Sequence, residues 1–81
     1  MPYIKADRRI PLTMACPQNA GELNYALTKM VLAYIAQHGL NYQHINDVVG
    51  AMESAKAEFQ RRVVGKYEDQ KIVENGDVYL P

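Results

Sequence analysis

Tryptophan is absent from this sequence, and cysteine occurs once, at Cys16. A lone cysteine closes no internal disulfide, so no covalent staple is available and a reducing cytoplasm is the expected setting. An excess of either charge is missing too. Nine basic residues balance nine acidic ones, for a formal net charge of zero. That balance removes the long-range pull toward nucleic acid or an anionic membrane that a basic domain exerts. Long hydrophobic runs are also lacking. The longest is Met30–Ala36, seven residues, against the roughly 20 that span a bilayer, so no membrane association is expected. The opening MPYIKADRR has no apolar core of a signal peptide.

What is present is apolar enough to fold. Hydrophobic residues make up 48% of the chain, well above the level of a disordered tail. Eighty-one residues form one small domain, near the lower limit of what encloses its own core.

The stretch Leu23–Ala36, LNYALTKMVLAYIA, organises the rest. Asn19 can cap its helix and Glu22 suits the first turn. Leu23, Leu27, Met30 and Tyr34 follow heptad-like spacing, and Ala26, Ala33 and Ile35 widen the stripe until it nearly encircles the helix. A helix that is apolar all round is covered on more than one side, and so short a chain has little to cover it with. A second copy is therefore the expected partner. His38 closes the helix. Gly39 is placed for the left-handed conformation after it, with Leu40 as the apolar contact of that stop.

Asn41 is the expected cap of a second helix. Ile45, Val48, Val49, Met52, Ala55, Phe59 and Val63 recur at three- and four-residue steps, which makes one apolar face. Gly50, Ala51, Ser54 and Ala57 flank it with small side chains. Glu58 with Arg62, Glu53 with Lys56, and Glu68 with Lys71 are spaced to pair across turns. Gly65 is where this helix is expected to break or loosen, and Asn75–Gly76 where it stops. The rival reading of the last stretch is a β-hairpin, since Asn-Gly between IVE and DVYL is also a strong two-residue turn signal. Before the first helix, Pro11 and Pro17 interrupt helical pattern, so an extended arm is expected, pinned by Ile4, Ile10, Leu12 and Met14.

The expected fold is thus all-α. It comprises an irregular arm over 1–19, a first helix over 20–38, a second over 42–74 that is broken or loosened near 65, and a tail over 75–81. The helices form an antiparallel hairpin, as a loop of about three residues favours. Two copies make a four-helix bundle, a homodimer, with Leu23, Leu27, Met30, Val31, Tyr34 and Ile35 at the interface.

Chemistry-bearing residues are sparse. His38 and His44 flank the loop, and with Cys16 or Glu22 they could ligate a metal. The paired short spacings of zinc sites are absent, so a surface or capping role is read for both. Cys16 has no neighbouring base and reads as a buried or half-buried thiol. Glu22, Asp47, Glu53, Glu58, Glu68 and Asp69 are the candidates for a magnesium site like that of all-α nucleotide pyrophosphohydrolases. None has another acid three or four residues away in its helix, and salt-bridged solvated faces are favoured. Lys56, Arg61, Arg62 and Lys66, near Tyr67, form a modest basic strip that reads as solvated rather than as a nucleic-acid contact. Tyrosines make up six of the seven aromatics. Their amphipathic rings suit interface edges. No catalytic residue, metal or cofactor is expected.

The strings GELNYALT (Gly21–Thr28), INDVVGAMESAKAEFQRRVV (Ile45–Val64) and YEDQKIVENGDVY (Tyr67–Tyr79) resemble a family of small uncharacterised proteins. It is a domain of unknown function met in phage and microbial genomes. The resemblance runs from Gly21 to Tyr79, about three quarters of the chain. Family members usually carry a longer helical segment before the GELNY string, a pattern that Pro11 and Pro17 depart from here. The resemblance implies a viral or mobile-element setting and brings no activity or cofactor with it. By motif position it marks Glu22, Asn24, Tyr25, Glu53, Glu68, Asp69, Asn75 and Asp77 as a candidate functional surface. The expected role is a small non-enzymatic oligomeric interaction or accessory protein. The alternatives are a metal-dependent nucleotide hydrolase and, more weakly, a nucleic-acid-binding accessory protein through Arg61, Arg62 and Lys66.

Overall fold

The computed structural model describes residues 3–9 and 16–79. Every regular element among them is helical. They are α1 (Ala6–Arg9), α2 (Ala20–His38), α3 (Tyr42–Phe59), a π-helical turn (Gln60–Val64) and α4 (Gly65–Asn75). The chain divides into two compact units, Met1–Val48 and Val49–Pro81, with the division falling inside α3.

In the first unit, α2 begins at a capped end. Asn19 is extended, and its Oδ1 accepts the Glu22 N–H at 2.9 Å. This satisfies one of the donors that the first turn leaves without a helical partner. The helix ends where the Gly39 N–H donates to the Ile35 carbonyl. Gly39 has φ 97 and ψ 154, a positive φ that glycine adopts without strain. Its ψ takes the chain into an extended path rather than the left-handed helical turn expected from sequence. Leu40 accordingly swings out, 76% exposed, and makes no closing contact. Asn41 then caps α3, its Oδ1 accepting the His44 N–H at 2.9 Å.

The arm differs from its expectation at one place. Ala6–Arg9 form a helical turn, with the Arg8 N–H on the Lys5 carbonyl at 3.0 Å. Proline restricts its own residue and the one before it, which leaves this segment free to coil. Tertiary bonds from Arg8 hold it against α2. The proposed pins Ile10, Leu12 and Met14, with Pro11, lie outside the described residues; Ile4 is half-buried.

In the second unit the helix does not break at Gly65. It widens for one turn, the Gly65 N–H reaching back to the Gln60 carbonyl, and continues with Gly65 at φ -57 and ψ -46. It ends at Asn75, where the Gly76 N–H donates to the Ile72 carbonyl and Gly76 takes φ 91. The hairpin alternative fails here: no strand occurs among the described residues. Asp77 Oδ1 instead accepts the Tyr79 N–H at 2.9 Å in a local turn.

Side-chain pairing along this unit also departs from the spacing rule. Glu58 pairs with Arg61, not Arg62, and Lys71 pairs with Glu74 at 3.4 Å, not with Glu68. Positions three and four apart are both within reach on a helix, and the nearer arginine takes Glu58. Lys71 also lies over the Tyr67 ring, 5.4 Å from its centroid.

Candidate functional site

Two side-chain clusters are built in the first unit, at opposite ends of α2. The first surrounds Glu22, the one buried residue among those described. Arg8 meets its carboxylate with two bonds, Nε to Oε2 at 2.8 Å and Nη2 to Oε1 at 2.9 Å. The Gln18 N–H donates to Oε1 at 2.9 Å. A two-pronged guanidinium contact is the strongest neutralisation a carboxylate finds in a protein. Arg8 above all, then the Gln18 amide, hold the Glu22 carboxyl down from its ordinary 4.5 to about 2. The same bond raises the Arg8 guanidinium above its usual range. Beside it, the Arg9 guanidinium lies 5.9 Å from the centroid of the Tyr25 ring. Arg9 Nε also donates to the Ile4 carbonyl at 3.0 Å.

The second cluster sits at the turn between α2 and α3. Tyr34 and His38, four apart on α2, stack with ring centroids 4.4 Å apart. His44, from the first turn of α3, stands edge-on to Tyr34 at 6.2 Å and lies 5.7 Å from His38. His44 Nδ1 is 2.8 Å from the Gly39 carbonyl oxygen. Tyr34 donates its hydroxyl to Asp47 Oδ2 at 3.2 Å, and Gln43 Nε2 donates to Asp47 Oδ1 at 2.8 Å. Burial, and next the Asp47 carboxylate, push the Tyr34 hydroxyl up.

The candidate surface residues fall in both units. Glu22 and Tyr25 come together beneath α1. Asn24 takes the Thr28 hydroxyl on its backbone oxygen at 2.8 Å and on Oδ1 at 3.2 Å. That bond is local to the helix. Glu53, Glu68, Asp69, Asn75 and Asp77 are exposed along the second unit. Of the interface candidates, Leu23 and Leu27 are each 51% exposed, Met30 73%, and Tyr34 37%. Val31 and Ile35 are half-buried. Cys16 is exposed, not buried or half-buried as expected.

Three of the six acids considered for a metal are committed elsewhere, Glu22 to Arg8, Glu58 to Arg61, and Asp47 to Tyr34 and Gln43; Glu53, Glu68 and Asp69 are exposed. Among the described residues no three His, Cys, Asp or Glu side chains gather where an ion could sit. Glu22 cannot join His38, since sixteen residues of α2 separate them, about 24 Å at 1.5 Å per residue. No described helix is long and apolar enough to cross a membrane.

Sequence reasoning passed over Arg8 and Gln18, and named Tyr34, His38, His44 and Asp47 separately without joining them into one group. For Arg8 no local signal exists, because its partner is fourteen residues away. For the second group the signal was present: two residues four apart before a short loop and two three apart after it.

Residues 1–78 match the model of a family described as Domain of unknown function (DUF6899). The match takes in the segment before Gly21, which the motif strings do not reach. No curated protein and no solved structure matches the chain.

Proposed function

The chain belongs to the family Domain of unknown function (DUF6899), and on that premise we propose that it is a small non-enzymatic interaction protein that works as a homodimer. In this reading α2 and α3 close into an antiparallel hairpin, and two copies form a four-helix bundle. Leu23, Leu27, Met30, Val31, Tyr34 and Ile35 pack across the twofold axis. The setting that goes with the motif strings is a viral or mobile-element one, in the cytoplasm.

One observation carries the reading. Within the described residues the only buried side chain is a carboxylate, while Leu23, Leu27 and Met30 stand half or more exposed on a single helix. Burial of apolar surface is the dominant favourable contribution to folding, at about 25 cal/mol per Å². A chain that hides so little of it alone must hide it against another surface. The run Met30–Ala36 is the most concentrated apolar surface on α2. A second copy supplies the same run in a self-complementary way, as a twofold interface requires. The commitment of Glu22, Asp47 and Glu58 to other partners supports a non-enzymatic role over the magnesium-dependent hydrolase.

Sedimentation equilibrium of the full chain tests this. The expected mass is that of two chains across the micromolar range, with helicity falling on dilution as dimers separate. A monomer that unfolds cooperatively at micromolar concentration overturns it. A thermal-shift panel of magnesium and manganese with nucleoside triphosphates addresses the hydrolase: no shift is expected, and a shift of several degrees with metal and nucleotide together would replace this reading.

A further inference from the structure

We propose that His38 and His44 form a two-imidazole site for a divalent transition-metal ion of the zinc type. The two rings come from different helices and meet only because the turn at Gly39–Asn41 brings the ends of α2 and α3 together. Their centroids are 5.7 Å apart and their planes are inclined by 59°. Two imidazoles bound to one tetrahedral ion at the usual zinc–nitrogen length hold their ring centres about 5 Å apart. Small rotations about the His38 side chain bridge that difference.

The state of His44 favours ligation. Its Nδ1 lies 2.8 Å from the Gly39 carbonyl oxygen. A carbonyl only accepts, so Nδ1 carries the proton and Nε2 keeps its lone pair. Metal-binding histidines are commonly oriented in this way, by a ring N–H donated to a backbone carbonyl, which fixes the tautomer and the ring direction. Among the described residues neither His44 Nε2 nor either nitrogen of His38 has a hydrogen-bond partner. Tyr34 holds both rings in place: it stacks on His38 at 4.4 Å and is itself tied to Asp47. The His44 ring is thus oriented before an ion arrives, which lowers the entropic cost of binding.

Two protein nitrogens leave about half of a tetrahedral shell open. Water fills it in a lone chain; a second copy fills it with its own pair if the dimer places like ends together. Imidazole donors suit zinc, copper and nickel and do not suit magnesium or calcium. The site is therefore of a different class from the magnesium-dependent chemistry considered above, and it does not rest on the dimer reading.

The test is calorimetric titration of the full chain with zinc chloride, with Cys16→Ser present throughout so that the exposed thiol contributes nothing. Cobalt(II) is titrated in parallel for its visible spectrum. His38→Ala removes one donor from an exposed position. His44→Asn removes the other, while its amide still donates to the Gly39 carbonyl and keeps the turn. Far-UV circular dichroism confirms that both variants remain helical. Saturable zinc binding in the micromolar range, weakened at least tenfold by either variant and unmatched by magnesium, is the expected result. Either one ion per chain or one per two chains supports the site, the second meaning that a partner copy completes it. Zinc binding unchanged in the double variant, or no saturable binding by the unvaried histidines, overturns it.

Discussion

Arg8 grips Glu22 with two parallel bonds, Nε to Oε2 at 2.8 Å and Nη2 to Oε1 at 2.9 Å, and this contact fastens α1 to the start of α2. Removing the guanidinium leaves a shielded carboxylate with one amide partner, the Gln18 N–H. Arg8→Ala is expected to release residues 6–9, read as faster amide exchange there and in the first turn of α2, with α4 unchanged. Arg8→Lys restores part of the protection only, since an ammonium is a point charge and cannot engage both oxygens at once.

The same contact sets an acid limit. The folded Glu22 carboxyl titrates at about 2, below its ordinary 4.5. A group whose folded value is depressed adds stability that is fully present above the ordinary value and is lost as pH falls through the folded one. Docking of α1 should therefore be constant from neutral pH to about 5 and decline between there and 2. Carbon-detected titration of the Glu22 side chain should give a midpoint near the lower figure. Glu22→Gln should abolish the acid-dependent loss; its survival in that variant would assign the loss to other carboxylates.

Two asparagines hold helix starts by equivalent bonds, Asn19 to the Glu22 N–H and Asn41 to the His44 N–H. Asn19→Ala and Asn41→Ala should each cost about 1 kcal/mol, and Asp at either position should retain most of it. Thermal unfolding should show each alanine variant melting about 4–8 °C lower, the shift that 1 kcal/mol gives in a chain of this size.

Gly65 and Gly76 should answer one substitution with opposite signs. Gly65 is helical, and a Cβ there would lie 3.5 Å from the Gln60 oxygen, an ordinary contact. Gly65→Ala should stabilise by about 0.5–1 kcal/mol, the usual advantage of alanine inside a helix. Gly76 has φ 91, where a side chain is strained, so Gly76→Ala should destabilise by about 1 kcal/mol or more. Denaturant midpoints of the two variants on either side of the parent would confirm the contrast.

These helix ends were legible in the sequence because each is written in one or two residues. Asn19 and Asn41 act through a side chain three positions from its donor. Gly76 marks its stop by lacking a side chain. The Arg8–Glu22 contact was not legible, because no periodicity links residues fourteen apart across two intervening prolines. Nor was the wide turn at Gln60–Val64: QRRVV carries no breaker, and only the backbone bond from Gly65 to Gln60 reveals it. Gly39 was half legible. Its positive φ follows from composition, whereas ψ depends on where the chain must go next. The histidine pair was seen as two residues flanking a loop, and its spacing in the chain hid the closeness of the rings.

The apolar face of α2 yields a further expectation. Leu27→Lys or Met30→Lys places an ammonium within the surface that the proposed dimer shares, and burying an unpaired charge is prohibitive. Sedimentation velocity should show either variant as a single chain at concentrations where the parent is paired. Leu40→Lys, in the exposed turn, should leave the mass unchanged. Equal masses for all three variants would remove α2 from the contact.

The best-sheltered side chain described in this molecule is an ion rather than a hydrocarbon. Oily contacts loosen on cooling, and an ion pair does not draw on that source of stability. Dissolved electrolyte weakens the pair instead, with a screening length of about 3 Å at 1 M. The fastening of the N-terminal turn should thus survive refrigeration and loosen in concentrated salt from its exposed Arg8 side, making ionic strength the variable that governs how often that segment swings free.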